Sequence, residues 1–225
     1  MVTTYIGSIL PILVLALGPV LASFLAAQVM RENGFTGAKG NRSVCDHCGY
    51  QLQPIDLIPL LSFVMLRGRC RKCGERIDPR VWLAEIIGLT LFGILAIGID
   101  CFATTVSTDG TAVFGYALFG GIVLSCLLVL SIQDIFTFSI PLRFTQISAG
   151  IVILANILAV IVRLADPGAL PWLHLGNLDN LLCGLAYAGF FQIIIWLTKQ
   201  KGMGSGDVFI GLIIGLSLGW PATVT

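Results

Sequence analysis

The amino-acid sequence predicts an all-α polytopic membrane protein, with about six transmembrane helices and a small cytoplasmic module between the first helix and the second. Three observations support this fold class. Of the 225 residues, 56% are hydrophobic and only 11% are charged, which excludes an ordinary soluble domain. Several apolar runs approach the roughly 20 residues that cross a bilayer as a helix. Nine of the thirteen Lys and Arg residues lie between positions 31 and 80, where the apolar pattern is interrupted.

Six apolar runs define the predicted helices and hence the organisation of the chain. They cover residues 5–29, 81–99, 113–133, 140–163, 177–198 and 204–222. The first run has neither the positively charged start nor the small-residue cleavage site of a signal peptide, so we interpret it as a spanning helix. The domain prediction is a first transmembrane helix at 1–30, a cytoplasmic module at 31–80 and a five-helix membrane core at 81–225.

The basic residues also predict how the chain is oriented in the membrane. Cytoplasmic loops are enriched in Lys and Arg, so the module is placed in the cytoplasm and the N-terminus outside. Threading the remaining helices from the module leaves only Arg163 on the outer side. The basic residues flank membrane segments and form no stripe with interleaved aromatic residues. The lipid bilayer is therefore an expected partner, and nucleic acid is not.

Four cysteines in the module have the spacing of a structural zinc site. Cys45 and Cys48 form one C-x2-C pair, and Cys70 and Cys73 form a second pair after 21 intervening residues. Four thiolates complete a tetrahedron around zinc and leave no position open for a substrate, so this zinc is predicted to stabilise the fold. Disulfides or free thiols are the alternatives, and a reducing cytoplasm and nearby basic residues disfavour them. His47 is interpreted as a spacer.

Two acidic residues lie at the ends of predicted membrane helices. Asp134 closes the third helix in SIQDIFTFSIP, and Asp207 lies in the first turn of the sixth in GMGSGD. A carboxylate inside a membrane segment costs about 2.5–3.5 kcal/mol on insertion scales, so such residues are candidates for function. The predicted topology brings both to the cytoplasmic edge of the membrane. The alternatives are a helix cap for Asp207 and, for Asp134, a helix-end residue that meets water.

A pair of carboxyl groups at one membrane face has the chemistry of a protease. Two close carboxyl groups share one proton, so one can take a proton from the attacking water while the other hydrogen-bonds the peptide carbonyl oxygen, as in aspartic proteases. Gly202, Gly204 and Gly206 carry no side chains and would let a substrate backbone approach Asp207. We therefore predict Asp134 and Asp207 as the catalytic pair and the three glycines as the place of substrate approach.

These features resemble the bacterial type IV prepilin peptidases, a branch of the GxGD intramembrane aspartic proteases, over most of the chain. The family's cytoplasmic cysteine module is similar to the segment NRSVCDHCGYQLQPIDLIPLLSFVMLRGRCRKCGERI. Asp134 stands seven residues before Pro141, as the family's first catalytic aspartate stands before its Ile/Leu-Pro. The second catalytic motif matches GMGSGD, from Gly202 to Asp207.

The resemblance implies an activity, a substrate class and cofactors. It implies removal of a short basic leader peptide from type IV prepilins or pseudopilins, after a glycine, at the cytoplasmic face of the bacterial inner membrane. It also implies N-methylation of the new N-terminal residue, usually Phe, with S-adenosylmethionine, although the chain has no dinucleotide-type glycine motif after a strand. The chain departs from the family pattern at Leu142 and Phe209, and it extends only 18 residues beyond Asp207. We therefore expect that C-terminal helices typical of the family are missing.

Two other classes of function are compatible with the same pattern. One is a transporter in which membrane carboxylates bind a cation or relay protons. Its weakness is that both acids lie near one face of the membrane rather than at the midplane. The other is a non-enzymatic assembly factor of a pilus or secretion machine that docks through the zinc module. The sequence predicts no oligomeric state.

Several further charged residues of the cytoplasmic side are interpreted without a catalytic role. Asp56 is predicted to be a structural turn residue of the module, rather than a contact for the leader peptide or for S-adenosylmethionine. Glu85 is predicted to favour the N-terminus of the second helix. Arg67, Arg69 and Arg71 are predicted to face the membrane surface.

Overall fold

A computed structural model of the chain describes residues 2–34, 43–105, 110–138, 142–165, 178–199 and 204–218. They form seven α-helices: α1 (Val2–Glu32), α2 (Leu61–Met65), α3 (Pro79–Thr105), α4 (Gly110–Thr137), α5 (Leu142–Ala165), α6 (Leu178–Thr198) and α7 (Ser205–Leu218). A 3-10 turn at Pro54–Leu57 precedes α2. The described residues include two isolated β-bridges and no strand. The predicted all-α class is therefore confirmed.

Six of these helices correspond to the six predicted apolar runs. Within the described residues, four are long and apolar enough to cross a membrane: Ile9–Glu32, Pro79–Thr104, Val113–Thr137 and Asn180–Thr198. The apolar helices at Leu142–Leu158 and Ser205–Ser217 are shorter. The chain is a multi-pass membrane protein. Because α4 continues beyond the predicted end at residue 133, Asp134 lies inside its last turn.

The chain divides into two compact units. The first contains Met1–Asp100 and Leu128–Ser139, and the second contains Cys101–Leu127 and Ile140–Thr225. The cysteine module thus belongs to the same unit as α1 and most of α3, and the last part of α4 joins them. The predicted division at residues 30 and 80 stays a prediction.

In the first unit, α1 and α3 cross through small residues. Gly18, Ala22 and Ala26 recur every four residues along α1 and are all buried. Gly18 and Ala22 face Gly88 of α3, where an added Cβ would lie 2.5 Å from the carbonyl oxygen of Gly18 and 2.7 Å from the Cβ of Ala22. Lipid tails are as apolar as the helices, so close backbone packing of this kind supplies the association of membrane helices. The crossing holds the middle of α1 against the first half of α3.

In the second unit, α7 packs against α5 and α6. An added Cβ at Gly215 would lie 2.7 Å from the Cα of Gly184, and one at Gly211 would lie 2.5 Å from Cδ2 of Phe191. The amide of Asn180 donates a hydrogen bond to the carbonyl oxygen of Leu216 at 3.3 Å. These contacts hold the interior face of α7 and so fix the helix whose first turn carries Asp207.

Candidate active site and metal centre

The four cysteines of the module lie together in a geometry that could hold one metal ion. The Sγ atoms of Cys45, Cys48, Cys70 and Cys73 are all within 4.8 Å of one another, and those of Cys45 and Cys73 are 3.8 Å apart. A tetrahedron with four metal–sulfur bonds of about 2.3 Å places its sulfur atoms about 3.8 Å apart. His47 is exposed and is not part of the cluster.

Two turns of the same construction hold the two cysteine pairs. The N–H of Gly49 donates to the carbonyl oxygen of Cys45 at 2.9 Å, and the N–H of Gly74 donates to that of Cys70 at 3.0 Å. Gly49 has a φ of +69° and Gly74 a φ of +72°, a left-handed conformation that a residue with a Cβ adopts at a cost. The glycine after each pair therefore turns the chain so that both cysteines of the pair face the same point.

The Cys70 thiol ionises more readily than an ordinary cysteine. The backbone N–H of Cys73 is the main cause that lowers its pKa to about 7, and the N–H of Lys72 acts in the same direction, while burial opposes them. Burial is the main cause of a raised pKa at Cys45. The thiolate is the form that binds metal. Backbone donors, rather than the neighbouring arginine side chains, thus favour the thiolate at Cys70.

Asp56 joins two parts of the module. Its Oδ1 accepts hydrogen bonds from Nε and Nη2 of Arg71 at 2.9 Å and 2.7 Å, and its Oδ2 accepts the N–H of Gln53 at 3.2 Å. The Asp56 side chain is only 1% exposed, whereas that of Arg71 is 43% exposed. The Arg71 hydrogen bonds lower the pKa of Asp56 in spite of its burial. Asp56 therefore has a structural role in the module, and Arg71 is bound to it; the predicted position of Arg71 at the membrane surface stays a prediction.

Asp207 lies in the first turn of α7, where its carboxylate caps the helix. Its Oδ2 accepts the N–H of Gly204 at 3.0 Å, and its own N–H donates to the carbonyl oxygen of Gly204 at 3.1 Å. An acidic side chain is stabilising at this end of a helix. The carboxylate is nevertheless only partly buried. The cap expected as an alternative is thus present, and it leaves the carboxylate accessible.

The three glycines before Asp207 differ in their surroundings. Gly204 is exposed, and the nearest atoms to a Cβ added there are the Gly206 nitrogen at 3.9 Å and Asp207 Oδ2 at 4.0 Å. Gly206 is buried. Gly202 lies outside the described residues. Of the described glycines in this motif, Gly204 is the one beside which a substrate backbone would find open space.

Asp134 is exposed in the last turn of α4. Its carbonyl oxygen accepts the N–H of Phe138 at 2.8 Å, and Phe138 leaves the helix with a φ of +50°. Two residues after Asp134, the carbonyl oxygen of Phe136 accepts a hydrogen bond from Nη1 of Arg80 at 3.5 Å, and the guanidinium lies 5.0 Å from the centre of the Phe136 ring. The end of α4 that carries Asp134 is therefore tied to the start of α3.

The two predicted catalytic residues belong to different units. Asp134 lies in the first unit and Asp207 in the second. Their action as a pair stays a prediction.

A cavity of about 730 Å³ in the first unit was not predicted from the sequence. It lies between the second half of α1, the cysteine module and the start of α3. Glu85 lines it and is only 5% exposed. Its Oε2 accepts the N–H of Leu60 at 2.7 Å, and the hydroxyl of Ser23 also donates to it. Glu85 therefore joins the module and α1 to α3, a role beyond that of a helix-terminal acid. The sequence feature that could have indicated this role is an acidic residue within an apolar helix.

Two family models match the chain. A model described as the Bacterial Peptidase A24 N-terminal domain matches residues 16–99, and a model described as the Type IV leader peptidase family matches residues 121–225. The first range contains the four cysteines and the cavity, and the second contains Asp134 and Asp207. No solved structure matches the chain.

Curated relatives from several bacteria carry the name "Prepilin leader peptidase/N-methyltransferase". The protein of Bacillus subtilis (strain 168) is 32% identical over 181 residues, which are 79% of this chain and 61% of the relative. That of Aeromonas hydrophila is 31% identical over 198 residues, 80% of this chain and 55% of the relative. That of Myxococcus xanthus (strain DK1622) is 30% identical over 226 residues, 97% of this chain and 59% of the relative. The chain thus spans 55% to 61% of the length of these three relatives.

Proposed function

The chain belongs to the type IV leader peptidase family, and on this premise we propose that it is an intramembrane aspartic endopeptidase. It removes the basic leader peptide from type IV prepilins or pseudopilins, after a glycine, at the cytoplasmic face of the bacterial inner membrane. The proposal depends chiefly on the position of Asp207: its carboxylate is only partly buried and lies next to Gly204, which is exposed and has no side chain. A peptide in extended conformation needs such an approach, because its carbonyl carbon must come within reach of a water held by the carboxylate.

In the proposed reaction, Asp134 and Asp207 share one proton. The ionised carboxylate takes a proton from water as the water oxygen bonds to the carbonyl carbon, and the protonated carboxyl donates a hydrogen bond to the carbonyl oxygen. The tetrahedral intermediate then breaks its C–N bond as the nitrogen takes up a proton from the pair. The leader leaves with a C-terminal carboxylate and the pilin with a new N-terminal amine. Because the two groups titrate together, we expect a bell-shaped dependence of the rate on pH.

We propose zinc as the metal of the four-cysteine cluster. The sulfur separations fit a tetrahedral site, and an all-thiolate donor set suits zinc rather than a hard cation such as magnesium. Zinc, when bound, supplies a cross-link between the two turns of the module. The cysteines fill all four positions of such a site, so their role is to hold the module in shape.

The names of the relatives support a second proposed activity, N-methylation of the new N-terminal residue with S-adenosylmethionine. This cofactor, when bound, supplies an electrophilic methyl group to the amine. The first unit has features that fit a cationic nucleoside. Among the described residues, the buried indole Nε1 of Trp82 has no hydrogen-bond partner, and Trp82 and Glu85 both line the cavity.

The test of the peptidase proposal is a cleavage assay on the purified protein in liposomes. The substrate is a peptide with a basic leader, a glycine, a phenylalanine and an apolar helix, and mass spectrometry follows leader loss and methyl gain separately. We expect Asp134→Asn and Asp207→Asn each to lower the cleavage rate by about 10²–10⁴-fold, the usual contribution of a general acid or base. Asp100→Asn, at an exposed acid of α3, is the matched control and should cleave normally.

Two outcomes would contradict the proposal. Leader removal at the normal rate by either aspartate variant would exclude the catalytic pair. An ion flux through the liposomes that both substitutions abolish, without any proteolysis, would favour the transporter hypothesis instead.

A further inference from the structure

We propose that the cavity of the first unit binds S-adenosylmethionine, with the carboxylate of Glu85 facing its cationic sulfonium group and the indole of Trp82 recognising its nucleobase. The inference rests on the proposed function, because a methyl donor is needed only if the new N-terminal amine is methylated. It goes further by assigning a site and two residues to this ligand.

The cavity has the size and the construction of a ligand site. Its volume of about 730 Å³ lies within the range of roughly 300–1,000 Å³ that is usual for small-molecule pockets. Three segments that are distant in sequence build it: α1 contributes Ser23 and Phe24, α2 contributes Phe63, and α3 contributes Trp82 and Glu85. Apolar surface forms most of the lining, and a few polar groups converge on it, as in other cofactor sites.

The charges around the cavity favour a cation. Five acidic residues and only three arginines line it. The acids are Asp46, Asp56, Glu75, Asp78 and Glu85. Asp56 is paired with Arg71 and Asp78 with Arg80, so two of the acids are neutralised. The other three acids outnumber the two remaining arginines of the lining, Arg31 and Arg76, by one negative charge.

Glu85 is the acid best placed to meet a cationic ligand. Its two hydrogen-bond donors, the Leu60 N–H and the Ser23 hydroxyl, are both neutral. Neither of the two ion pairs found among the described residues includes it. A buried carboxylate without a cation is unfavourable. A sulfonium group in the cavity would supply the missing positive charge.

The aromatic residues of the cavity suit the nucleoside part of the ligand. The rings of Phe63 and Trp82 are stacked, with centroids 5.3 Å apart and planes at 19°. The Nε1–H of Trp82 is buried and, within the part of the chain that the structure describes, donates to no acceptor. A purine offers ring nitrogens that accept such a hydrogen bond and a flat face that stacks on aromatic side chains. Trp82 thereby gains the partner that its buried N–H lacks.

The position of the cavity also agrees with a role in modifying the product. Asp78 lines the cavity, and Nη2 of Arg80 donates to its Oδ2 at 2.6 Å. Arg80 also donates to the carbonyl oxygen of Phe136, two residues after Asp134. One chain of side-chain contacts thus connects the cavity wall to the helix end that carries a proposed catalytic residue.

The experiment measures binding by isothermal titration calorimetry on the full chain, purified in detergent with its zinc. The probes are S-adenosylmethionine, S-adenosylhomocysteine, whose sulfur is neutral, and phenylalaninamide, which imitates the new N-terminus. Glu85→Gln keeps the acceptor for the Leu60 N–H and removes the charge. Glu85→Gln should weaken the binding of S-adenosylmethionine by about 10–100-fold and that of S-adenosylhomocysteine by much less, because contacts between charged groups are stronger than those to a neutral group. Glu32→Gln, at an exposed acid on the last turn of α1, is the control and should change neither affinity by more than about twofold.

Trp82→Phe provides a second and independent variant. It keeps a ring for the stack with Phe63 and removes only the N–H. The substitution should weaken the binding of both nucleosides alike, by about 2–10-fold, which corresponds to the loss of one neutral hydrogen bond. Trp82 is one of four tryptophans, so the variant also shows how much of any ligand-induced change in tryptophan emission comes from this residue. Equal zinc content and melting temperature establish that each variant is folded.

Several results would overturn the assignment. The first is an affinity for S-adenosylmethionine that is unchanged in both variants. The second is a folded wild-type protein that still cleaves leader peptides but shows no detectable binding of S-adenosylmethionine. The third is a cavity that binds only phenylalaninamide among the three probes, in a manner that depends on Glu85. A folded wild-type protein that binds both nucleosides, with the expected response to the two substitutions, but cleaves no leader peptide would refute the proposed peptidase and leave the cavity assignment standing. The two proposals are thus tested separately.

Discussion

Replacing Gly88 by alanine should force α1 and α3 apart and destabilise the first unit. The added Cβ would lie 2.5 Å from the carbonyl oxygen of Gly18 and 2.7 Å from the Cβ of Ala22, whereas ordinary contacts begin at 3.4 Å. The nearer atom is part of a helix backbone and cannot rotate away as the end of a flexible side chain would. The helices must therefore separate.

The size of the effect follows from these distances. Relief of the closest contact requires a separation of about 1 Å, and a gap of about 0.5–1 Å forfeits about a quarter to a half of the dispersion energy of the atoms concerned. Overpacking typically costs about 1–3 kcal/mol, and alanine recovers up to about 1 kcal/mol through its better helix propensity. We expect a net destabilisation of about 1–2 kcal/mol. For a chain of this length that corresponds to a fall in melting temperature of about 2–8 °C.

The assay is thermal unfolding of the purified protein in detergent, followed by circular dichroism. Gly93→Ala is the matched control on the same helix, because an added Cβ there meets only Cδ1 of Leu15, at 3.4 Å. We expect the control to melt at or above the wild-type temperature. The close helix crossing would be refuted if Gly88→Ala melted within about 1 °C of Gly93→Ala, because this difference is smaller than the expected fall of about 2–8 °C.

Further predictions concern the module and the motif before α7. Cys48→Ser should reduce zinc, measured by atomic absorption, from one per chain to a small fraction and lower the melting temperature, because three thiolates hold the metal less well; retained zinc would contradict the cluster. Arg71 lowers the pKa of Asp56, so this pair stabilises the fold above the ordinary aspartate pKa of about 3.9 and loses its effect as pH falls through the lower folded value. The difference in melting temperature between wild type and Arg71→Gln should hence stay constant from about pH 8 to 5 and shrink only below about pH 4, and a difference that narrows by about pH 6 would count against it. An added Cβ at Gly204 meets no atom closer than 3.9 Å, so Gly204→Val should leave the melting temperature unchanged but lower kcat/KM for leader cleavage by about tenfold or more, since misplacement of the substrate backbone is costly. Gly189→Val, where an added Cβ meets nothing within 4 Å and which lies away from the motif, should leave both quantities unchanged, and normal cleavage by Gly204→Val would argue against substrate approach at this position.

The cluster of four cysteines shows which parts of the site could be predicted from the sequence. Cys45 and Cys48 are held in one turn by hydrogen bonds between near neighbours, as are Cys70 and Cys73. Their spacing and the glycine after each pair therefore describe most of the site before any tertiary structure is known. The acids in GMGSGD and SIQDIF are likewise visible as charges at the ends of apolar helices.

The glycines show where sequence inference fails. An added Cβ at Gly204 meets no atom closer than 3.9 Å, whereas one at Gly88 lies 2.5 Å from the backbone of another helix. Glu85 was interpreted from its own helix, whereas its carboxylate is defined by Leu60 and Ser23, which are distant in the sequence. The contacts of Gly88 and of Glu85 come from residues distant in the sequence, so no local pattern predicts them.

By itself, the sequence determined the all-α membrane class, the helix positions, the four cysteines that could hold a metal and the identity of the candidate acids. Each of these depends on hydrophobic length or on contacts within a few residues. Only the tertiary structure decided which glycines form the α1–α3 crossing, that Asp56 is bound to Arg71, and that Glu85 and Trp82 line a common cavity. Membrane helices are apolar on nearly every side, so their periodicity does not mark an inward face, and which residues meet there follows from how closely the backbones of distant helices can approach.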